Sequence, residues 1–183
     1  MILIYSIIFF LIGSIPFSYL IGRLANIDIR EWGDHNPGAT NAYLAGGIKL
    51  ALPSLILDFS KGAFPIYLYT NGLTNINLAL IPISIAPILG HAFSPFLNFK
   101  GGKAIAVTMG VWTGLLNFQA PIIIGSSHLF QKYIIGVNKN CWRITSSILL
   151  YSIYILIMGH NLILFIIAII NAIIIAIKHR DEF

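Results

Sequence analysis

The chain has 183 residues, of which 57% are hydrophobic and only 9% charged. Its mean hydropathy of +0.86 excludes an ordinary soluble domain and implies an all-α integral membrane protein, one helical bundle over residues 1–183. The net charge of +5 suits a face turned to anionic headgroups or anionic substrates. The lone Cys141 excludes an internal disulfide, and nothing resembles a nucleic-acid-binding module.

Taken in order, Met1–Leu24 is apolar, and its first part reads as a retained span rather than a signal peptide, because no basic residue precedes it and Arg23 and Arg30 follow it. Residues 25–47 are polar and glycine-rich. Lys49–Tyr69 is mostly apolar and ends in the turn sequence Asn71–Asn75. Leu78–Leu97 and Ala104–Leu116 are apolar and flank the stretch Gly90–Lys103. Ile122–Val137 is a weak span carrying His128, Gln131 and Lys132, followed by the basic segment Asn138–Arg143. Ile144–Met158 and Leu162–Ile177 complete the pattern, and Lys178-His179-Arg180-Asp181-Glu182-Phe183 follows.

Charge decides the number of spans. Asn71–Asn77, Asn117–Ala120 and Gly159–Asn161 hold no charged residue, whereas the alternate connections hold ten of the eleven basic residues. The alternation closes only if Ile122–Val137 also crosses. The expectation is therefore seven transmembrane helices with the N-terminus outside and the C-terminus in the cytoplasm. Ala104–Leu116 and Ile144–Met158 are short against the ~20 residues that a span needs. Trp32 and Trp142 fit the interfacial belt on the cytoplasmic side, and Trp112 does not.

Nearly all the chemically useful side chains fall on that cytoplasmic side. In Phe99-Lys100-Gly101-Gly102-Lys103, paired glycines let the backbone approach a ligand, their N–H groups can face an anion, and a helix starting at Ala104 adds its positive end. That describes either a phosphate or carboxylate cradle or a tight turn whose lysines sit at the headgroups. The first loop offers Asn36, Thr40 and Asn41 as hydrogen-bonding groups around an Asn36-Pro37-Gly38 turn, or as caps of a following helix. Asp58 and Lys61 share a helix face at i,i+3 and must face the bundle interior; they read as a packing pair in preference to a cavity lining. His91 is either a general base or a core residue. Arg143 and Ser146, one turn apart, can donate to an anion, and His179 can titrate near neutrality. No metal-ligand set is present, and no cofactor is expected.

Together these pieces resemble the bacterial acyl-phosphate:glycerol-3-phosphate acyltransferase family. The resemblance rests on Gly13-Ser14-Ile15-Pro16, Asn36-Pro37-Gly38-Ala39-Thr40-Asn41, Leu57-Asp58-Phe59-Ser60-Lys61-Gly62, and Gly90-His91 followed by Phe99–Lys103, in family order across nearly the whole chain. It implies a seven-span enzyme of the bacterial plasma (inner) membrane with its active site on the cytoplasmic face. The implied reaction moves a fatty acyl group from acyl phosphate to the 1-hydroxyl of glycerol 3-phosphate, giving lysophosphatidic acid. By the same resemblance His179, Lys103 and Ser146 are catalytic. Asn36, Gly38, Thr40, Asn41, Lys49, His91, Lys100, Gly101, Gly102 and Arg143 bind substrate. Membrane lipid surrounds the site.

Three positions depart from the family pattern: Asp34 stands where the family has a phosphate-binding serine, Leu44 replaces an arginine, and Glu182 replaces an asparagine. A carboxylate about 4 Å from one unit of phosphate charge costs about 4 kcal/mol at an effective dielectric of 20. Asp34 is therefore expected to turn away, toward Arg30 or His35, unless the acceptor differs. The alternatives are a same-fold enzyme using another acyl acceptor, a non-catalytic acyl-phosphate-binding protein, and a small transporter built on Asp58–Lys61. The last leaves the cytoplasmic clustering unexplained.

Overall fold

A computed structural model describes residues 1–71 and 76–182. Gly72–Asn75 of the expected Asn71–Asn75 turn, and Phe183, lie outside the described residues. Among the described residues the secondary structure is entirely helical, as lipid demands of a backbone that has no water to bond. The first apolar run forms α1 (Ile2–Ser14) and α2 (Phe17–Leu24). They are separated at Pro16, which has no N–H to continue the ladder. At the break Phe17 N–H donates to Ile15 O at 3.0 Å, and distant side chains reach both the Ser14 and the Ile15 carbonyl. Ser94 Oγ donates to Ser14 O at 2.6 Å, and Lys61 Nζ donates to Ile15 O at 2.7 Å.

The polar segment 25–47 is not simply a loop. It holds a 3₁₀ turn at Ile29–Glu31 and a short helix, α3 (Ala39–Gly46), entered through Gly38. Next come α4 (Ile48–Thr70), α5 (Leu80–Ala92), α6 (Ile105–Leu116), α7 (Gln119–Phe130), α8 (Asn140–Ile157) and α9 (Leu162–Lys178). A π-helical turn, Gln131–Ile135, extends α7, and 3₁₀ turns follow α5 and α9 at Pro95–Leu97 and Arg180–Glu182. The span expected at Ile144 begins at Asn140, which lengthens it to 18 residues, while α6 remains at 12. Among the described residues three helical segments, Ile2–Leu24, Leu80–Leu97 and Asn140–Ile157, are long and apolar enough to cross a membrane.

Lipid tails are as apolar as the side chains, so close backbone packing replaces the hydrophobic drive between helices. Glycines make this possible in two pairs. A Cβ on Gly13 would strike the Pro87 backbone and one on Gly90 the Phe10 carbonyl, so α1 lies directly on α5. Gly62, Gly110 and Gly114 do the same for α4 on α6. Asp58 and Lys61 form the expected interior pair at 2.7 Å, with side chains 2% and 1% exposed. Ser18 Oγ adds a 2.5 Å bond to Asp58 Oδ2. The pair thus ties α4 to the α1–α2 break, which is the packing role.

Trp112 is off the belt because it is core. Its ring meets Tyr151 edge-on at 5.1 Å. Its Nε1 donates to Asn171 Oδ1 at 3.1 Å, and Asn171 Nδ2 donates to Thr108 Oγ1 at 3.0 Å, so a buried indole and amide satisfy each other across α6 and α9.

Candidate active site

At one end of the bundle three segments enclose a cavity of about 610 Å³: the loop Asp34–Pro37, the α5–α6 connection, and the end of α9 with its following turn. The α5–α6 connection is held from below. Gly102 N–H donates to His91 O at 3.0 Å, and Lys178 Nζ donates to Ala92 O at 2.9 Å and Gly101 O at 3.0 Å. These bonds satisfy carbonyls that the end of α5 would otherwise leave orphaned. Three non-glycine residues of the connection, Asn98, Phe99 and Ala104, have φ of 51°, 61° and 63°. Each left-handed residue costs ~1–3 kcal/mol, strain typical of a functional loop.

This geometry corrects the reading of the glycine pair. Gly101 lines the cavity, but the Gly102 N–H is already engaged with His91 O and does not face an anion. A Cβ on Gly102 would run into the His91 ring, so its role is packing. His91 is correspondingly beneath the loop and outside the cavity lining, buried, with Nδ1 3.7 Å from Asp58 Oδ1.

Lys103 projects into the cavity wall and is ion-paired with both Asp34 and Glu182. The expectation that Asp34 turns to Arg30 or His35 does not hold. Arg30 is already committed to Asp28 through a two-point contact at 2.9 and 2.6 Å and stacks over Tyr19 at 4.4 Å. That guanidinium holds the Asp28 carboxyl down at about 2. His35 Nδ1 lies 2.8 Å from the Arg30 carbonyl. Asp34 is instead aimed inward by its own loop: its Oδ1 accepts from Asn36 N at 3.1 Å and from Asn41 Nδ2 at 2.9 Å. Burial acts to raise the Asp34 carboxyl, but the Lys103 ammonium and these N–H groups outweigh it and keep it below the ordinary range.

Asn41 also donates to Asn36 O at 2.8 Å, so it staples the loop and is itself buried. Asn36 lines the cavity; Gly38 and Thr40, at the start of α3, do not. Lys100 lines the rim, exposed. Lys49 is exposed at the start of α4, away from the lining residues, because the α3–α4 corner points it outward.

His179 is 1% exposed and lines the cavity floor. Its Nδ1 is 2.9 Å from the Ile175 carbonyl. A carbonyl only accepts, so Nδ1 carries the proton and Nε2 carries the lone pair. Nε2 is buried with no hydrogen-bond partner among the described residues. Burial, seconded by the charges of Lys103 and Lys178, pushes the imidazole below its ordinary pKa, so it is neutral at pH 7. A neutral imidazole with a free lone pair beside three lysines can accept a proton from a hydroxyl while the ammonium groups hold phosphate.

Arg143 and Ser146 are not brought to this cavity. Arg143 donates to Val137 O at 3.0 Å and to Asn140 Oδ1 at 3.3 Å. Ser146 Oγ is 2.7 Å from Gln131 Oε1 and 2.6 Å from Trp142 O, which fastens the π-helical turn to α8. The π turn swings Gln131 toward α8, and this places the serine–arginine pair in a helix–helix joint. Several lining residues were not among the expected site, Lys178, Arg180 and Phe93 among them. Only the orphaned carbonyls at the end of α5 call for a donor such as Lys178, and sequence does not locate which lysine answers.

The glycerol-3-phosphate acyltransferase family model matches residues 3–183. Glycerol-3-phosphate acyltransferase 1 of Thermotoga maritima is 44% identical over 63% of this chain, a stretch that is 58% of the relative's length. The glycerol-3-phosphate acyltransferase of Streptococcus pyogenes serotype M5 is 35% identical over 98% of this chain and 87% of its own. Crystal structures of PlsY, an integral membrane glycerol 3-phosphate acyltransferase, in glycerol 3-phosphate and lysophosphatidic acid forms, superpose with TM-scores of 0.88 and 0.87. Both are 26% identical and cover 98% of this chain and 88% of theirs. By a family match running nearly end to end, on an all-helical fold shared with an integral membrane enzyme, this chain belongs to the glycerol-3-phosphate acyltransferase family.

Proposed function

We propose that this chain is a membrane acyltransferase that moves a fatty acyl group from acyl phosphate to the 1-hydroxyl of glycerol 3-phosphate, supplying lysophosphatidic acid for phospholipid synthesis. The observation that carries the reading is the free Nε2 of His179 in a cavity lined by Lys100, Lys103 and Lys178. Family membership and the relatives' names support it.

In this reading the lysines and the Gly101 backbone gather the two phosphates, and Asn36 lies at the acceptor side. The glycerol hydroxyl oxygen attacks the acyl carbon, a new ester C–O bond forms, and the C–O bond to phosphate breaks. The hydroxyl proton passes to His179 Nε2 and then to the departing phosphate. Acyl phosphate is a mixed anhydride, so its leaving group needs little protonation, and alignment of two phosphates supplies most of the acceleration. Asn41, His91 and Gly102 act by holding the segments that form the walls, Gly38 and Thr40 by starting α3, and Arg143 and Ser146 by fastening α8 to the turn after α7. The chain works as one helical domain with seven spans, N-terminus outside, in a bacterial plasma (inner) membrane, and the cavity opens at the cytoplasmic face. The positive-inside distribution of ten basic residues supports that orientation.

The test is transfer from palmitoyl phosphate to radiolabelled glycerol 3-phosphate by the purified protein in lipid. Lysophosphatidic acid formed in a Lys103- and His179-dependent way is the expected result, and its absence refutes the reading. A second reading, the same chemistry on another hydroxyl acceptor, is favoured by the Asp34 carboxylate facing the cavity. It predicts donor consumption only when glycerol 3-phosphate is replaced by a non-phosphorylated alcohol.

A further inference from the structure

The proposed cavity contains its own anions. Its lining brings Lys100, Lys103, Lys178 and Arg180 together with Asp34, Asp181 and Glu182, so carboxylates nearly cancel the cations that a phosphate would use. Two of them meet on one ammonium: Asp34 from the loop after α2 and Glu182 from the turn after α9, 69 and 79 residues from Lys103. The two are held very differently. Asp34 is short, and its Oδ1 is stapled by Asn36 N and Asn41 Nδ2 while its Oδ2 takes Lys103. It cannot leave without unmaking its loop. Glu182 is anchored only through its backbone: its N–H donates to His179 O at 2.9 Å, and its carbonyl accepts from Cys141 Sγ at 3.1 Å. Its carboxylate reaches Lys103 at the end of an unbranched side chain that is 28% exposed, and no other hydrogen bond to that carboxylate is present among the described residues.

We propose that the Glu182 carboxylate is a resident stand-in for the substrate phosphate. It occupies Lys103 in the empty site, and the incoming phosphate displaces it by side-chain rotation, so Glu182 sets how tightly the cavity holds a phosphorylated substrate. The proposal rests on the reading that the cavity takes phosphate. Asp34 stays in place and fixes the position of the ammonium. The turn backbone does not move, because His179, which it bonds, also has to stay aligned. The displaced carboxylate keeps repelling the dianion across the cavity, which adds to the competition for Lys103.

Partly exposed ion pairs are worth ~0.2–1 kcal/mol. Removing the Glu182 charge is therefore expected to strengthen phosphate binding about threefold, with the change in KM rather than kcat. The experiment titrates inorganic phosphate calorimetrically into the full chain in lipid nanodiscs, comparing wild type with Glu182→Gln and Glu182→Ala, and measures KM for glycerol 3-phosphate alongside. Both variants binding phosphate more tightly supports the proposal. Equal or weaker binding in Glu182→Gln, with folding confirmed by an unchanged melting curve, overturns it. If Glu182→Gln does not fold, Glu182→Asp, whose shorter side chain withdraws the charge from Lys103, gives the same sign or overturns it. A wild-type protein that makes no lysophosphatidic acid while its Glu182 variants still bind phosphate more tightly sinks the acyltransferase reading and leaves the stand-in role. Active wild type with no tightening does the reverse.

Discussion

Replacing Lys61 by methionine tests whether the mid-membrane ion pair holds the fold or takes part in chemistry. The side chain keeps its length and loses its charge. Three contacts go with it: the 2.7 Å pair to Asp58, the 2.7 Å bond to the Ile15 carbonyl at the α1–α2 break, and the approach to the Phe17 ring at 5.7 Å. Asp58, 2% exposed, is then a buried carboxylate left without its cation, with a hydrogen bond from Ser18 and the His91 ring 3.7 Å away. Breaking a buried pair from one side costs ~3–5 kcal/mol. The Ile15 carbonyl loses its side-chain donor but keeps the 3.0 Å bond from Phe17 N–H. Midpoint unfolding temperature in detergent, followed by a thiol-reactive dye on buried Cys141, should fall by about 6–20 °C. The double variant Lys61→Met with Asp58→Asn removes both charges and should recover more than half of that loss. Activity per folded molecule should change less than threefold. A loss under about 1 kcal/mol, or a double variant no more stable than the single, would refute the packing argument; a large fall in activity of fully folded protein would place Lys61 in the chemistry.

Other outcomes follow from the same geometry. His179→Ala should lower kcat by ~10²–10⁴, the usual contribution of a positioned general base. Because burial lowers the imidazole below its ordinary value, the wild-type rate should hold level through neutral pH and fall only in the acid range, and the residual activity of His179→Ala should lack that limb. Gly102→Ala places a methyl group against the His91 ring and should displace the α5–α6 connection, lowering activity about tenfold or more with the melting temperature also reduced, as an overpacking of ~1–3 kcal/mol requires. Trp112→Phe keeps the ring but leaves Asn171 Oδ1 without its donor and should cost ~1–3 kcal/mol of stability with little effect on KM, because that network is remote from the cavity lining.

Much of the architecture was legible because it is encoded within a few residues. Long apolar runs in lipid satisfy their backbone internally by becoming helical, and all seven runs are helical, the first in two pieces. Pro16 lacks an N–H, so the first run breaks there. Asp58 and Lys61 are three apart on one helix, so they meet whatever the rest of the chain does. The family resemblance singled out His179 and Lys103, which line one cavity. Only packing decided what each polar group faces. Lys103 takes Asp34 and Glu182 because three segments converge, and no local pattern relates residues 34, 103 and 182. Gly102 gives its N–H to His91 because α5 ends directly beneath it. Arg143 and Ser146 are one helical turn apart as read, but the π turn after α7 draws them into a joint and away from the cavity. Trp112 finds Asn171, 59 residues on, only once the bundle brings α6 and α9 within reach of each other's side chains. Backbone periodicity is a short-range property, whereas the partner of a buried charge or amide is set by which helices pack, and glycine contacts set two of those pairings here, α1 on α5 and α4 on α6.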